Sequence, residues 1–172
     1  MPESEKNKEL IKQAKEKAAF LIYKLKEHSI TMSLAESCTA GLVSSLLADI
    51  PGASEVFWGS FVCYTKEAKI IMLGLNSREL DEYDLVSNET ACLMAKAAME
   101  KSGVNVSAAV TGLAGPGTDG SAIPVGTVWI AVTLNNGNTG VKKFFFSGSR
   151  DEVRISAAIA VIEELLNALS GA

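Results

Sequence analysis

The sequence predicts an α/β protein, a three-layer α/β/α sandwich on a mixed, mostly parallel sheet of about five strands. Three observations carry this. Apolar stripes of helical period alternate with short apolar runs of strand length, the pattern of helices laid over a sheet. The run at 106–111 is small and apolar apart from Ser107, as suits a strand covered on both faces. Two β-rich runs flank Asn135-Asn136-Gly137-Asn138, a hairpin signal that puts an antiparallel pair into the sheet.

Each element has its own warrant. Leu10, Ala14, Ala18, Leu21, Ile22 and Leu25 form one stripe between about Ser4 and Lys26, with lysines and glutamates opposite, which predicts an amphipathic surface helix. Ile30, Met32 and Leu34 share one face of a first strand that ends in Glu36-Ser37-Cys38-Thr39, and an apolar helical run over 40–48 follows at once. Asp49-Ile50-Pro51-Gly52 is turn chemistry, and Ser60 to Tyr64 reads as a second strand. Thr65 is placed to cap a short helix bearing Lys66, Glu67 and Lys69, which Gly74 ends. Asn76 to Asp84 reads as a short helix and loop, and Ser87 caps a longer helix that stops at Gly103. Beyond the strand at 106–111 lie a glycine loop over 112–120, strands at 126–134 and 139–146, and a last helix. Ser147-Gly148-Ser149 caps that helix, with Asp151 and Glu152 in its first turn.

With 172 residues, 48% hydrophobic and 21% charged, the chain is expected to form a single domain over 1–172 with one sizeable core. A net charge of −4 supplies no basic field for a polyanion, so nucleic acid is not an expected partner. The first nine residues are polar and of both signs, and no apolar run approaches the ~18 residues that span a bilayer. No membrane association is expected, and a cytoplasmic location is. Cys38, Cys63 and Cys92 are odd in number and far apart, which suits reduced thiols better than disulfides. With His28 as the one histidine and no CxxC pair, no metal site is expected.

The chemistry concentrates in four loops that follow four strands: Glu36 to Thr39, Thr65 to Lys69, Gly112 to Gly120, and Ser147 to Arg150. Ligand crevices in α/β sheets lie beyond the carboxyl ends of strands. If the four loops converge, their hydroxyls, lysines, arginine and glycine-rich backbone suit a small anionic, phosphorylated ligand. Gly115-Pro116-Gly117-Thr118-Asp119-Gly120 matches G-x-G-x-x-G, but Pro124 and a β-rich run follow where a dinucleotide fingerprint requires a helix. Candidate nucleophiles are Ser37, Cys38, Ser54 and several threonines. His28 precedes the first strand, on the opposite rim from the loops, so a serine nucleophile would have to use lysine as its base. Lys69 is the candidate, and it must be neutral, which burial and a nearby cation such as Arg150 would favour. Glu36 reads as a carboxylate that accepts from backbone amides and holds its loop, with a ligand contact as the alternative. These features alone point to a phosphate-ligand pocket and no more, with serine/lysine hydrolysis as one chemistry open to it and an ordinary surface lysine as the alternative at Lys69.

Six stretches, in order and at characteristic spacing, then carry a family resemblance. They are Ala35-Glu36-Ser37-Cys38-Thr39; Asp49-Ile50-Pro51-Gly52 with Ser54; Tyr64 with Glu67-Ala68-Lys69; Gly112-Leu113-Ala114-Gly115-Pro116; Pro124-Val125-Gly126-Thr127-Val128-Trp129; and Ser147-Gly148-Ser149-Arg150-Asp151. Together they resemble the CinA carboxy-terminal family, the nicotinamide mononucleotide amidohydrolases, over roughly Lys6 to Leu169. The resemblance implies hydrolysis of nicotinamide mononucleotide to nicotinate mononucleotide and ammonia, with no cofactor and no metal. By motif position it implies Ser54 as nucleophile, Lys69 as base and Tyr64 as the group that orients them, with Ser54 or Ser37 left open as the attacking serine. Ser37, Thr39, Thr111, Gly112 and Gly115 would bind substrate or supply oxyanion donors, and Arg150 would pair with phosphate or lower the lysine pKa. A homodimer is implied. The alternative is a nucleotide-binding or interaction module of the same fold without catalysis. Lys66 and the weakly charged Ser121-Ala122-Ile123 depart from the usual pattern and bear on substrate range. The amino-terminal domain of many relatives, and its nucleotide pyrophosphatase activity, are not expected here.

Overall fold

The computed structural model describes residues 3–117, 120 and 122–170. The amphipathic stripe at the start forms α1 (Glu3–Glu27), whose Ala14, Ala18, Leu21 and Leu25 are fully buried while its charged residues face water. The expected strands follow as β1 (Met32–Glu36), β2 (Phe57–Val62), β3 (Val106–Gly112), β4 (Thr127–Leu134) and β5 (Thr139–Phe145). They form one sheet in the order β2-β1-β3-β4-β5. β1 pairs parallel with β2 and β3, while β4 pairs antiparallel with β3 and β5. Only β4 therefore runs against the others, and the carboxyl ends of β1, β2, β3 and β5 share one edge. This is the mixed, mostly parallel sheet the sequence predicts.

Helices cover both faces. α1, α2 (Leu42–Ala48) and α6 (Arg150–Ser170) pack on one face against Met32, Leu34, Val106, Ala108, Val110, Val128, Ile130 and Val132. α3 (Lys66–Leu73), α4 (Ser77–Tyr83) and α5 (Asn88–Ser102) pack on the other, where the sheet presents Ala35, Ala109 and Ala131. Small residues let the alanine-rich α5 approach closely. The hydroxyls of Ser33 and Ser107 are buried there and donate to the carbonyls of Ala98 and Ala95 at 3.3 and 2.6 Å. Ser107, the polar exception in an apolar strand, is thus satisfied by the helix above it.

The helix caps are those the sequence marks. The Thr65 hydroxyl accepts from the Ala68 amide, Ser87 accepts from Thr90, and Gly74 and Gly103 end their helices in the left-handed conformation. The second strand is displaced from its expected 60–64. It begins at Phe57 with a register shift opposite Met32 and Ser33, and Tyr64 lies beyond its end, exposed. The first strand is buried on both faces rather than one, because α5 covers what the alternation leaves open.

Candidate functional site

The sheet ladder continues one step past the ends of β1 and β2. The Ser37 amide donates to the Val110 carbonyl at 3.0 Å, and the Cys63 amide to the Glu36 carbonyl at 2.9 Å. Ser37 and the Cys63 carbonyl are thereby held side by side. Thr65 then opens α3, and Lys69, one turn on, points back over this junction. Its Nζ lies 2.9 Å from Ser37 Oγ and 2.9 Å from the Cys63 carbonyl oxygen. Lys69 is 1% exposed, and among the described residues it forms no ion pair. Burial lowers its pKa from the ordinary lysine value, against smaller opposing effects of Cys63 and Cys38. A buried amine whose neutral form is favoured, hydrogen-bonded to a serine hydroxyl, is the arrangement a serine/lysine base requires.

A cavity of about 280 Å³ opens beside this pair. Ser37, Cys38, Tyr64, Lys69, Thr111, Gly112, Gly115 and Arg150 line it, so the four loops do converge. Arg150, exposed at the mouth, donates to the Tyr64 hydroxyl at 2.9 Å and to the Gly115 carbonyl. Gly112 leaves no room for a side chain, since a Cβ there would stand 2.6 Å from the Thr127 carbonyl oxygen. Gly115, with φ +78°, would carry one 2.5 Å from Val125. Among the described lining residues there is no aspartate or glutamate. Thr118, Asp119 and Ser121 of the glycine loop lie outside the described residues. Among the described residues no cluster of histidine, cysteine, aspartate or glutamate is placed to hold a metal ion, and no helix is long and apolar enough to cross a membrane.

Several expected placements are corrected. Ser54 stands in a 3-10 turn (Ala53–Glu55) before β2, whereas Lys69 follows that strand. Six strand residues separate the two ends by roughly 17 Å at about 3.3 Å per step, so the Ser54–Lys69 pair does not form and Ser37 holds that position. Thr39 is fully buried with its hydroxyl donating to Glu36 at 2.8 Å, and it does not line the cavity. Arg150 is engaged by Tyr64 and Gly115, and the lowered pKa of Lys69 comes from burial. Cys38 is a buried thiol whose pKa desolvation pushes up to about 12, which makes it a poor nucleophile. Glu36 holds its loop by accepting backbone amides, as expected. Lys66 pairs with Asp81.

The sequence reading missed one wall. Leu85 and Val86 line the cavity from the loop before α5. The Thr111 hydroxyl donates to the Leu85 carbonyl at 2.7 Å, and those of Ser87 and Thr90 donate to the Asp84 carbonyl at 3.0 and 2.6 Å. Two apolar residues between the turn-forming Asp84 and the cap Ser87 were the one available signal.

Comparison with known proteins bears on this geometry. The family model of the CinA C-terminal domain matches residues 14–169. The chain belongs to this family. A CinA-like protein of Geotalea uraniireducens (strain Rf4) is 41% identical over 140 residues, which is 81% of this chain and 33% of that protein. A CinA-like protein of Kosmotoga olearia is 37% identical over 84% of this chain and 35% of that protein. The chain thus spans about a third of the length of these curated relatives. Among solved structures, the competence/damage inducible protein CihA from Agrobacterium tumefaciens superposes with a TM-score of 0.87 at 36% identity, covering 92% of this chain and 96% of that one. A CinA superfamily protein from Klebsiella pneumoniae 700603 gives 0.89 at 23% identity, over 92% and 99%, and supports the fold alone.

The buried amine of this CinA domain makes stability depend on pH in a defined direction. An unfolded lysine holds its proton to about pH 10.4, whereas folded Lys69 releases it at lower pH. Between the two values the unfolded chain binds more protons, so the contribution of Lys69 to stability rises with pH and is lowest below the folded pKa. Urea denaturation of wild type and Lys69→Met from about pH 6 to 10 is expected to show the wild type gaining on the variant as pH rises. A difference that stays flat contradicts the depressed pKa.

Proposed function

We propose that this CinA domain hydrolyses the carboxamide of nicotinamide mononucleotide, giving nicotinate mononucleotide and ammonia. The carrying observation is the buried Lys69 Nζ at 2.9 Å from Ser37 Oγ. Neutral Lys69 takes the hydroxyl proton as Ser37 Oγ attacks the amide carbonyl carbon. The amides of Cys38 and Thr39, which follow Ser37 directly, are the candidate donors to the oxyanion. The C–N bond then breaks, and Lys69 returns its proton to the departing nitrogen as ammonia leaves. Water attacks the resulting ester with Lys69 again as base, which frees the carboxylate and restores the Ser37 hydroxyl. Tyr64 and Arg150 form one hydrogen-bonded pair at the mouth, and the exposed guanidinium supplies a charge for the phosphate. The absence of aspartate and glutamate among the described lining residues supports an anionic substrate.

A homodimer belongs to the same reading. β2 is an edge strand, and no charged residue occurs from Val56 to Tyr64, while Trp58 and Ile71 beside it are 55% and 80% exposed. The opposite edge strand, β5, carries Lys142 and Lys143, residues that discourage edge association. A second copy over β2 and α3 is the proposed cover. Sedimentation velocity at micromolar concentration is expected to return a dimer that Ile71→Asp dissociates, and a wild-type monomer removes this part of the proposal.

Activity is tested by ammonia release. Ser37→Ala is expected to lower kcat by about a thousandfold or more while nicotinamide mononucleotide still raises the melting temperature. Ser54→Ala is expected to retain turnover within about twofold, since it lies at the other end of β2. Lys69→Arg keeps the charge but cannot supply a neutral base, and is expected to be inactive. Full turnover by Ser37→Ala, or a wild type that binds the nucleotide and releases no ammonia, overturns the proposal.

A further inference from the structure

The residue before the serine is a carboxylate with an unusual environment. Glu36 is fully buried at the end of β1. One of its oxygens accepts from the Thr39 hydroxyl at 2.8 Å and from the amides of Gly41 and Val43 at 3.0 and 3.1 Å. The other accepts from the Ser44 amide at 2.9 Å, from the Ser44 hydroxyl, and more distantly from the Ser60 hydroxyl at 3.4 Å. Among the described residues Glu36 forms no ion pair.

A plain cap for the seven-residue α2 needs a single acceptor, and a short neutral side chain serves. Burying an unpaired carboxylate is a costly alternative, and here it gathers donors from five residues, Thr39, Gly41, Val43, Ser44 and Ser60. The chain must reverse to bring them in. Ala40 and Gly41 both have positive φ, +50° and +89°, which turns the amides beyond them onto the carboxylate. Ala40 occupies that region against the preference of its side chain. Ser37 is covalently joined to Glu36 on one side and to this folded-back segment on the other, while its own amide is tied to Val110.

We infer that Glu36 is a positioning residue for Ser37. Its carboxylate holds the reversed segment 37–44 so that the serine hydroxyl stays against the Lys69 amine, and it does so without touching substrate. The inference rests on the Ser37–Lys69 pair as the reacting couple. It requires an acceptor-only group at this place. The amide nitrogen of a glutamine would face donors already aimed at it, and the segment would have to shift. Displacements of about 1 Å at a reacting atom cost about a hundredfold in rate.

The test uses an alkyl fluorophosphonate, a reagent for activated serines whichever amide they hydrolyse. The Ser37 oxygen bonds to phosphorus, fluoride leaves, and Lys69 takes the hydroxyl proton. Wild type is expected to be labelled at Ser37, located by peptide mass mapping. Glu36→Gln is expected to slow labelling about a hundredfold per folded molecule while the thermal shift given by nicotinamide mononucleotide persists. Ser44→Ala removes one donor, leaves the charge, and lies outside the cavity lining. It is expected to slow labelling roughly threefold or more per folded molecule with the fold retained, and it decides the matter if Glu36→Gln does not fold. Labelling of folded Glu36→Gln, or of Ser44→Ala when only that variant folds, at the wild-type rate overturns the inference and leaves the deamidase reading standing. Slowed labelling with no ammonia from the wild type upholds the role of Glu36 and overturns the proposed substrate. A wild type unlabelled at Ser37 overturns both.

Discussion

The structure turns on one buried amine. Lys69 sits in the interior with a hydroxyl and a carbonyl as its polar partners, and among the described residues without a carboxylate to hold its charge. A charged ammonium is poorly solvated in such a place, so the environment favours the neutral form. Everything nearby serves that arrangement. The Thr65 cap starts α3 at the end of β2 so that the helix's first turn delivers the lysine, and the ladder bond from Cys63 to Glu36 sets its carbonyl partner beside Ser37.

The sheet explains why these groups meet. Four of its strands present their carboxyl ends on one edge, and the loops from β1, β2, β3 and β5 therefore supply Ser37, Lys69, Thr111 and Arg150 to one cavity. β5 takes part only because the chain reverses twice, once between β3 and β4 and again at the β4–β5 hairpin, and so returns to the common direction. Small residues on the α5 face seat the helix deep, and its capping loop forms the apolar wall of Leu85 and Val86. The same sheet leaves β2 as an uncharged edge beside exposed Trp58 and Ile71.

Much of this was legible in the residues. Periodicity and caps marked the helices, and the Asn135–Asn138 turn marked the antiparallel pair, because these depend on local chemistry that the chain states outright. The four loops could be grouped as one site because strand direction follows from the connections. The attacking serine could not be chosen that way. Ser54 and Ser37 both neighbour apolar strands, and only the end of β2 on which each falls separates them. Thr39 and Glu36 were likewise adjacent in a rich motif, yet their hydroxyl and carboxylate satisfy each other in the interior. Of the two causes expected for the lysine's lowered pKa, burial acts and Arg150 does not, and which of them would act depends on packing that no spacing encodes.

The central claim is that Lys69 is a neutral amine at working pH, and its side chain can be watched directly. Nuclear magnetic resonance of protein labelled with ¹³C and ¹⁵N at lysine, with Lys69→Met to assign the signal, gives its titration apart from the others. The account predicts that the Lys69 signal titrates at lower pH than every exposed lysine of the chain. A Lys69 that titrates with the exposed lysines, near pH 10.4, contradicts the account, because an ammonium at that place has no lone pair with which to take the serine proton.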